Sequence, residues 1–160
     1  MNVGNYCNRN VIITYPEESI QKAAKLMRQH HVGCLVIVKK VAEDAAGAYG
    51  SEDSWRTPVG ILTDRDIVVE LIAEELDLNT VTVGDVINQK LLMVNEEAPL
   101  SEVLDKMKKK GVRRVPVTNK TGGLVGILAL DDLIEFYAEQ LSLIVGVIEK
   151  ERIYEQQIRS

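Results

Sequence analysis

Seven consecutive residues, Gly60-Ile61-Leu62-Thr63-Asp64-Arg65-Asp66, bring a hydroxyl, a guanidinium and two carboxylates to the end of an apolar run. If that run is a strand and Thr63 opens a helix, the hydroxyl and the first helical N–H groups face one space. Orphan donors and the helix dipole favour an anion such as phosphate at that place. Arg65 adds a planar cationic fork whose geometry suits phosphate oxygens. Asp66, one turn in, can accept from two neighbouring hydroxyls, which is what a ribose 2′,3′-diol offers. The same residues also admit a purely local reading. The Thr63 hydroxyl can accept from one amide and the Asp66 carboxylate from another, a capping box worth about 1 kcal/mol. These residues alone do not separate the two readings.

The remaining inventory is poor in catalytic chemistry. His30 and His31 are adjacent, so their side chains leave a helix in different directions and cannot act on one metal or one proton. They are expected as capping or surface residues. Ser51, Ser54, Ser101 and Ser142 lie in no G-x-S-x-G elbow, and no G-x-x-x-x-G-K-[ST] loop occurs. Cys7 and Cys34 make neither a disulfide framework nor a C-x-x-C metal spacing, and Cys34 at the head of an apolar strand is expected as an inert thiol. The expectation is a protein that is not an enzyme and requires no metal or cofactor.

Positioning the 60–66 segment falls to a set of elements that occurs twice. Displacing the chain by 80 residues superposes Val3-Gly4 on Val83-Gly84, Asn8 on Asn88, Glu17 on Glu97, Met27 on Met107 and Val32 on Val112. Apolar pairs such as Ile12/Leu92, Ile20/Leu100, Leu35/Val115 and Ile37/Val117 hold the same register. The offset then falls to 66, where Val59-Gly60-Ile61-Leu62 meets Val125-Gly126-Ile127-Leu128 and Asp66 meets Asp132. The difference of 14 is an insertion in the first copy, about residues 39 to 57, with Trp55 near its end. Four acidic residues and two glycines from Ala42 to Trp55 suggest a mobile surface loop extending a hairpin.

Each copy is expected as β-α-β-β-α. Val11 to Thr14 is strand-like. Ser19 is a plausible N-cap, followed by Ile20, Ala23, Ala24 and Met27 at the spacing of one buried helix stripe. Cys34 to Val38 and Val59 to Leu62 are strands, and Thr63 opens a helix carrying Ile67, Val68, Leu71 and Ile72. The second copy repeats this as strand 91 to 94, helix 100 to 110, strand 114 to 118, a turn at Asn119-Lys120-Thr121-Gly122-Gly123, strand 124 to 128 and a helix from Asp131. Strands apolar on both faces need cover on both sides, and two stacked units supply it. Beyond Ile134 the helical pattern continues through Tyr154, with Tyr137, Leu141, Ile144 and Ile148 on one stripe that a second subunit would naturally cover; Gly146 interrupts it.

With 160 residues, 46% hydrophobic but 4% aromatic, the core must be Val, Ile and Leu, and two halves of about 70 residues must share it. A net charge of -5 argues against nucleic acid, and the Lys106, Lys108, Lys109, Lys110 cluster is expected as a solvated helix face. No charged-then-apolar leader and no apolar run of about 18 residues is present, so a cytoplasmic protein without a membrane span is expected.

Residues 59 to 67, Val-Gly-Ile-Leu-Thr-Asp-Arg-Asp-Ile, taken with Met27-Arg28-Gln29-His30-His31-Val32-Gly33, Gly111-Val112-Arg113-Arg114-Val115-Pro116-Val117 and Val125-Gly126-Ile127-Leu128-Ala129-Leu130-Asp131-Asp132-Leu133, resemble a pair of cystathionine β-synthase (CBS) domains over about residues 3 to 137. The resemblance implies an α/β fold of α+β type. Two β-α-β-β-α repeats (1–76 and 83–137) would pack about a pseudo-two-fold axis, followed by a helical extension over 138–160. It also implies two clefts for adenosine-containing ligands, frequent dimerisation, and a regulatory role without catalysis.

Carried over by position, the resemblance assembles one cleft from Thr63, Arg65, Asp66, Arg113 and Arg114 for ribose and phosphate. Leu92, Met93, Val94, Val112, Val115 and Pro116 would form its adenine pocket. Alternation along a strand would send Arg113 and Arg114 to opposite faces, with at least one on phosphate. The other cleft would combine Ile12, Ile13, Thr14, Val32, Gly33 and Cys34 with Asp131 and Asp132. There Ala129 stands at the hydroxyl position, Asp131 at the Arg65 position, and Gly33-Cys34 replace the arginine pair. Two carboxylates without a cation repel phosphate, so this cleft is expected to be empty or to take an uncharged nucleoside part. The leading expectation is a homodimeric, energy-sensing regulatory module that binds AMP, ADP or ATP and reports to a separate effector protein. The alternative is a ligand-free dimerisation or scaffold module of the same fold.

Overall fold

The computed structural model describes residues 1–40, 56–87 and 90–159, so most of the insertion expected over 39 to 57 lies outside the described residues. The chain divides into two compact units, Met1–Leu128 and Ala129–Ser160.

In the first unit the repeat is realised twice. The first copy runs β1 (Ile13–Thr14), α1 (Ile20–His30), β2 (Cys34–Lys40), β3 (Arg56–Thr63) and α2 (Asp64–Asp66), which continues as a π-helical stretch over Ile67–Ile72. The second runs β4 (Val94–Asn95), α3 (Leu100–Lys110), β5 (Arg114–Thr118) and β6 (Leu124–Ala129). Short 3-10 turns, Val3–Asn5 and Val83–Val86, precede the two copies.

The helices form for the reasons their spacing suggests. Ser19 caps α1 by accepting from the Lys22 amide at 3.2 Å, and Ile20, Ala23 and Met27 are buried below it. α3 buries Leu100, Val103 and Met107, with its lysines exposed on the opposite side. Both helices end on a left-handed residue, His31 at φ 55° and Gly111 at φ 66°, positions related by the 80-residue offset.

Each copy contributes a three-stranded sheet, β1-β2-β3 and β4-β5-β6. β1 runs parallel to β2, β2 antiparallel to β3 with a bulge at Ile37/Val38, and β4 parallel to β5. Alternation along β2 sends Leu35 and Ile37 into a cluster with Ile20, Ala23, Met27, Leu62, Ile67 and Leu71. Val36 and Val38 go to the opposite face and pack with Leu124, Val11, Ile13 and Ile127 between the sheets. The strands are therefore covered on both faces, as their composition demands.

Two expected elements differ. The strands expected over 11 to 14 and 91 to 94 pair only at Ile13–Thr14 and Val94–Asn95. Val11 is apolar because it packs between the sheets, and Leu91 and Leu92 because they wall a cleft, so neither pattern required a ladder. The helix after Thr63 stays α-helical for one turn before widening, with the Ala73 amide donating to the Val68 carbonyl at 3.0 Å. Of its expected stripe only Ile67 and Leu71 are buried, while Val68 and Ile72 are exposed.

The Val-Gly pairs at the two repeat starts have a structural reason. The amides of Val3 and Gly4 donate to the carbonyls of Ala98 and Glu96, at 2.9 and 2.8 Å. Those of Val83 and Gly84 donate to Glu18 and Pro16, both at 2.8 Å. Each copy thus extends an arm onto the strand-to-helix loop of the other. A Cβ on Gly4 would lie 3.0 Å from the Glu96 carbonyl, and one on Gly84 3.1 Å from that of Pro16, so a larger residue at either would have to push the facing loop back. Val83, fully buried, joins the apolar cluster of the first copy, with Val81, Val86 and Ile87 packed around it.

The second unit holds the body of one helix, α4 (Leu130–Arg159), which runs unbroken through Gly146. Leu133 is its buried residue, whereas Ile134, Leu141, Ile144, Ile148 and further apolar side chains along it are exposed. No helix among the described residues is long and apolar enough to cross a membrane.

Candidate functional site

A cleft of about 560 Å³ opens where the two copies of the first unit meet, a size usual for small-molecule sites. Thr63, Arg65 and Asp66 enter it from the β3–α2 junction, and Arg113 and Arg114 from the α3–β5 junction. Leu92 and Val112 supply apolar wall. The structure therefore brings together all five residues expected for ribose and phosphate, and two of the six expected for adenine. Met93 is exposed, and Val94, Val115 and Pro116 are buried in the fold; none of the four lines the cleft. Both arginines line it because Arg113 precedes β5 and escapes strand alternation.

At the β3–α2 junction the local reading is realised. The Asp66 amide donates to Thr63 Oγ1 at 3.1 Å, and the Thr63 amide donates to Asp66 Oδ2 at 2.8 Å, a complete capping box. The box occupies one carboxylate oxygen and leaves the acceptor capacity of Oδ1, so the cap and a ligand contact are compatible. Asp64 anchors the same turn, its amide donating to the Gly33 carbonyl at 3.0 Å.

Further lining residues escaped the sequence reading. Gly60 and Ile61 floor the cleft from β3, and Leu91 and Gly111 sit beside expected residues. Glu70 arrives from the π-helical stretch, and Val86, Ile87 and Lys90 from the crossing arm of the second copy. The glycine of Val59-Gly60 had a visible signal in the repeat. Its hypothetical Cβ would lie 3.3 Å from Ile87, and the matching Gly126 faces Cys7, the residue 80 positions before Ile87. Lys90 and Glu70 carried no signal. Altogether Arg65, Lys90, Arg113 and Arg114 face two carboxylates, Asp66 and Glu70, in a chain whose net charge is -5.

The residues expected for the other cleft are distributed as follows. Ile13 lies in the cluster between the sheets and Ile12 in the cluster over α1, with Val32. Thr14 is buried, its hydroxyl donating to Glu18 at 2.7 Å. Gly33 packs against the Asp64 carboxylate, and Cys34 is half-buried. Asp131 and Asp132 are exposed in the first turn of α4, in the second unit. Burial pushes the Cys7 thiol up from its ordinary value, and its sulfur takes the space where a Cβ on Gly126 would stand. His31 is exposed and serves as the left-handed cap of α1, and among the described residues no group of three or more His, Cys, Asp and Glu could hold a metal ion.

Among known proteins, the family model described as CBS domain matches residues 3–73 and 83–139. Hypoxic response protein 1 of Mycobacterium tuberculosis is 35% identical over 126 residues, 79% of this chain and 78% of that protein. An uncharacterized protein of Methanopyrus kandleri is 30% identical over 135 residues, 84% of this chain, and the chain spans 62% of that relative's length. The solved structure of a CBS domain protein from Pyrobaculum aerophilum, complexed with AMP, matches with a TM-score of 0.68 at 25% identity, covering 91% of this chain and 99% of that one.

Proposed function

The chain belongs to the CBS-domain family, and on that premise we propose that it is a non-catalytic, cytoplasmic regulatory module that binds AMP, ADP or ATP in the cleft between its repeats. One observation carries this reading: in a protein of net charge -5, four cationic side chains converge on one ligand-sized cleft against two carboxylates. Such a local field draws phosphate from solution. Asp66 Oδ1 accepts from the ribose, the arginines take phosphate, and Leu92, Val112, Ile61 and Ile87 flank the base. The AMP complex of the Pyrobaculum relative supports the ligand class. At the positions of Arg65 and Asp66 the second copy carries Asp131 and Asp132, which disfavour a phosphorylated ligand there. The module acts as a homodimer and reports cellular energy state to a separate effector protein.

The capping box favours a second reading, because Thr63 and Asp66 already satisfy one another without a ligand. Under it the chain is a dimerisation scaffold that has kept the fold alone. Thermal melts with AMP, ADP, ATP and S-adenosylmethionine separate the two. A ligand at 100 times its Kd stabilises the native state by about 2.7 kcal/mol, a rise in Tm of roughly 5–10 °C at this chain length. A shift with an adenine nucleotide is expected; no shift with any adenosine compound leaves the scaffold reading.

A further inference from the structure

Beyond Asp66 the helix is held by bonds that reach back five residues, from the Ala73 amide to the Val68 carbonyl and from the Leu76 amide to the Leu71 carbonyl, each 3.0 Å. An α-helical turn of 3.6 residues leaves positions four apart about 40° out of line, and the wider turn brings them closer to one line. The surroundings along the segment follow that four-residue interval. Ile67 and Leu71 are buried, Val68 and Ile72 are exposed, and Asp66 and Glu70 both line the cleft. Glu70 thus stands one turn behind Asp66 on the cleft side, with about 5–6 Å between their Cβ atoms. It is exposed at the rim, and among the described residues no hydrogen bond or ion pair engages its side chain.

Its place along the helix decides which part of a ligand it meets. With phosphate at the helix start, by Thr63 and Arg65, and the ribose diol on Asp66, Glu70 lies one turn further from that phosphate, beside the ribose edge that bears the 2′- and 3′-oxygens. An ionised carboxylate accepts hydrogen bonds and donates none. It therefore tolerates a free hydroxyl and repels a phosphate attached to the same oxygen. The cations Arg65, Lys90, Arg113 and Arg114 would by themselves favour an additional phosphate, so refusing one requires a fixed negative charge. Asp66 is engaged in the capping box, and Glu70 is the other carboxylate lining the cleft. We propose that Glu70 is a specificity residue of this cleft, admitting adenine nucleotides whose 2′- and 3′-hydroxyls are free and excluding those phosphorylated at either. The inference rests on the nucleotide reading above and adds to it which members of the class are refused.

Calorimetric titration of the full chain tests this with the tightest of AMP, ADP and ATP and with the same nucleotide bearing a further 2′- or 3′-phosphate. The parent should bind the free-diol form at least about tenfold more tightly, the scale of one partly screened charge pair. Glu70→Gln keeps the size and an acceptor but removes the charge. It should narrow that ratio to about threefold or less and hold the free-diol nucleotide within about threefold of the parent. Glu74→Gln removes the same charge from an exposed residue that does not line the cleft, and should leave the ratio as it is. A parent that binds both forms equally, a ratio unchanged in Glu70→Gln, or an equal narrowing in Glu74→Gln overturns the role of Glu70 and leaves the nucleotide reading standing. A parent that binds none of AMP, ADP and ATP overturns that reading and this inference with it.

Discussion

Asp66 holds the start of α2 with one carboxylate oxygen and also lines the cleft, so its loss should have two separable consequences. Asp66→Ala removes half of the capping box, costing about 1 kcal/mol without ligand, and should abolish the nucleotide-induced rise in Tm. Asp132→Ala, at the equivalent position of the second copy, should leave most of that rise; the reverse ranking in the same melts would assign the ligand to the other cleft. His31 offers a test free of ligand. It holds φ 55° where its counterpart is Gly111, and a left-handed side chain costs about 1 kcal/mol, so His31→Gly should raise Tm by roughly 2–4 °C. Residues joined by short-range geometry were legible from the chain alone: Thr63 and Asp66 bond because they stand three apart at a helix start. Lys90 and Glu70 were not, because a crossing arm brings the one and a widened π turn re-aims the other.

Reciprocal arms tie the two repeats at the level of elements, and each depends on a glycine. Gly84→Val would drive a branched side chain into the Pro16 carbonyl and should cost about 1–3 kcal/mol, seen as a fall in Tm of several degrees. The loop that receives this arm is held from beneath by Glu18, whose carboxylate accepts from Thr14 and Lys22. Burial acts to raise that carboxyl, but the bonds from Lys22 and Thr14 outweigh it and hold the group below its ordinary value of 4.5. A lowered value means stability that is present above 4.5 and lost as pH falls through the folded value. Glu18→Gln should therefore melt below the parent at pH 7, and the gap should narrow as pH falls below 4.5. The helices were legible in the three-and-four spacing of Ile20, Ala23 and Met27 and of Leu100, Val103 and Met107. The short β1 and β4 were not, because an apolar run says that a segment is covered without saying whether a ladder or a cleft covers it.

Across the first unit, neither repeat owns a complete core. Val83, Val86 and Ile87 belong by sequence to the second copy and Val81 to the link before it, and all are packed in the cluster of the first. A fragment ending at residue 78 should therefore stay unfolded by circular dichroism and amide dispersion, and the intact chain should show no separate melting of the first repeat; an independently folded fragment would contradict the shared core. The internal repetition and the need for two-sided cover were legible in the chain, while the exchange of arms was not, since identical Val-Gly pairs read alike whether each docks on its own copy or on the other. That exchange also couples substitutions across the halves. Gly4 answers to Glu96 and Gly84 to Pro16, so a change at either contact is felt in both copies. The halves differ in residue type at Arg113-Arg114 against Gly33-Cys34, yet stay locked to one another where their arms meet.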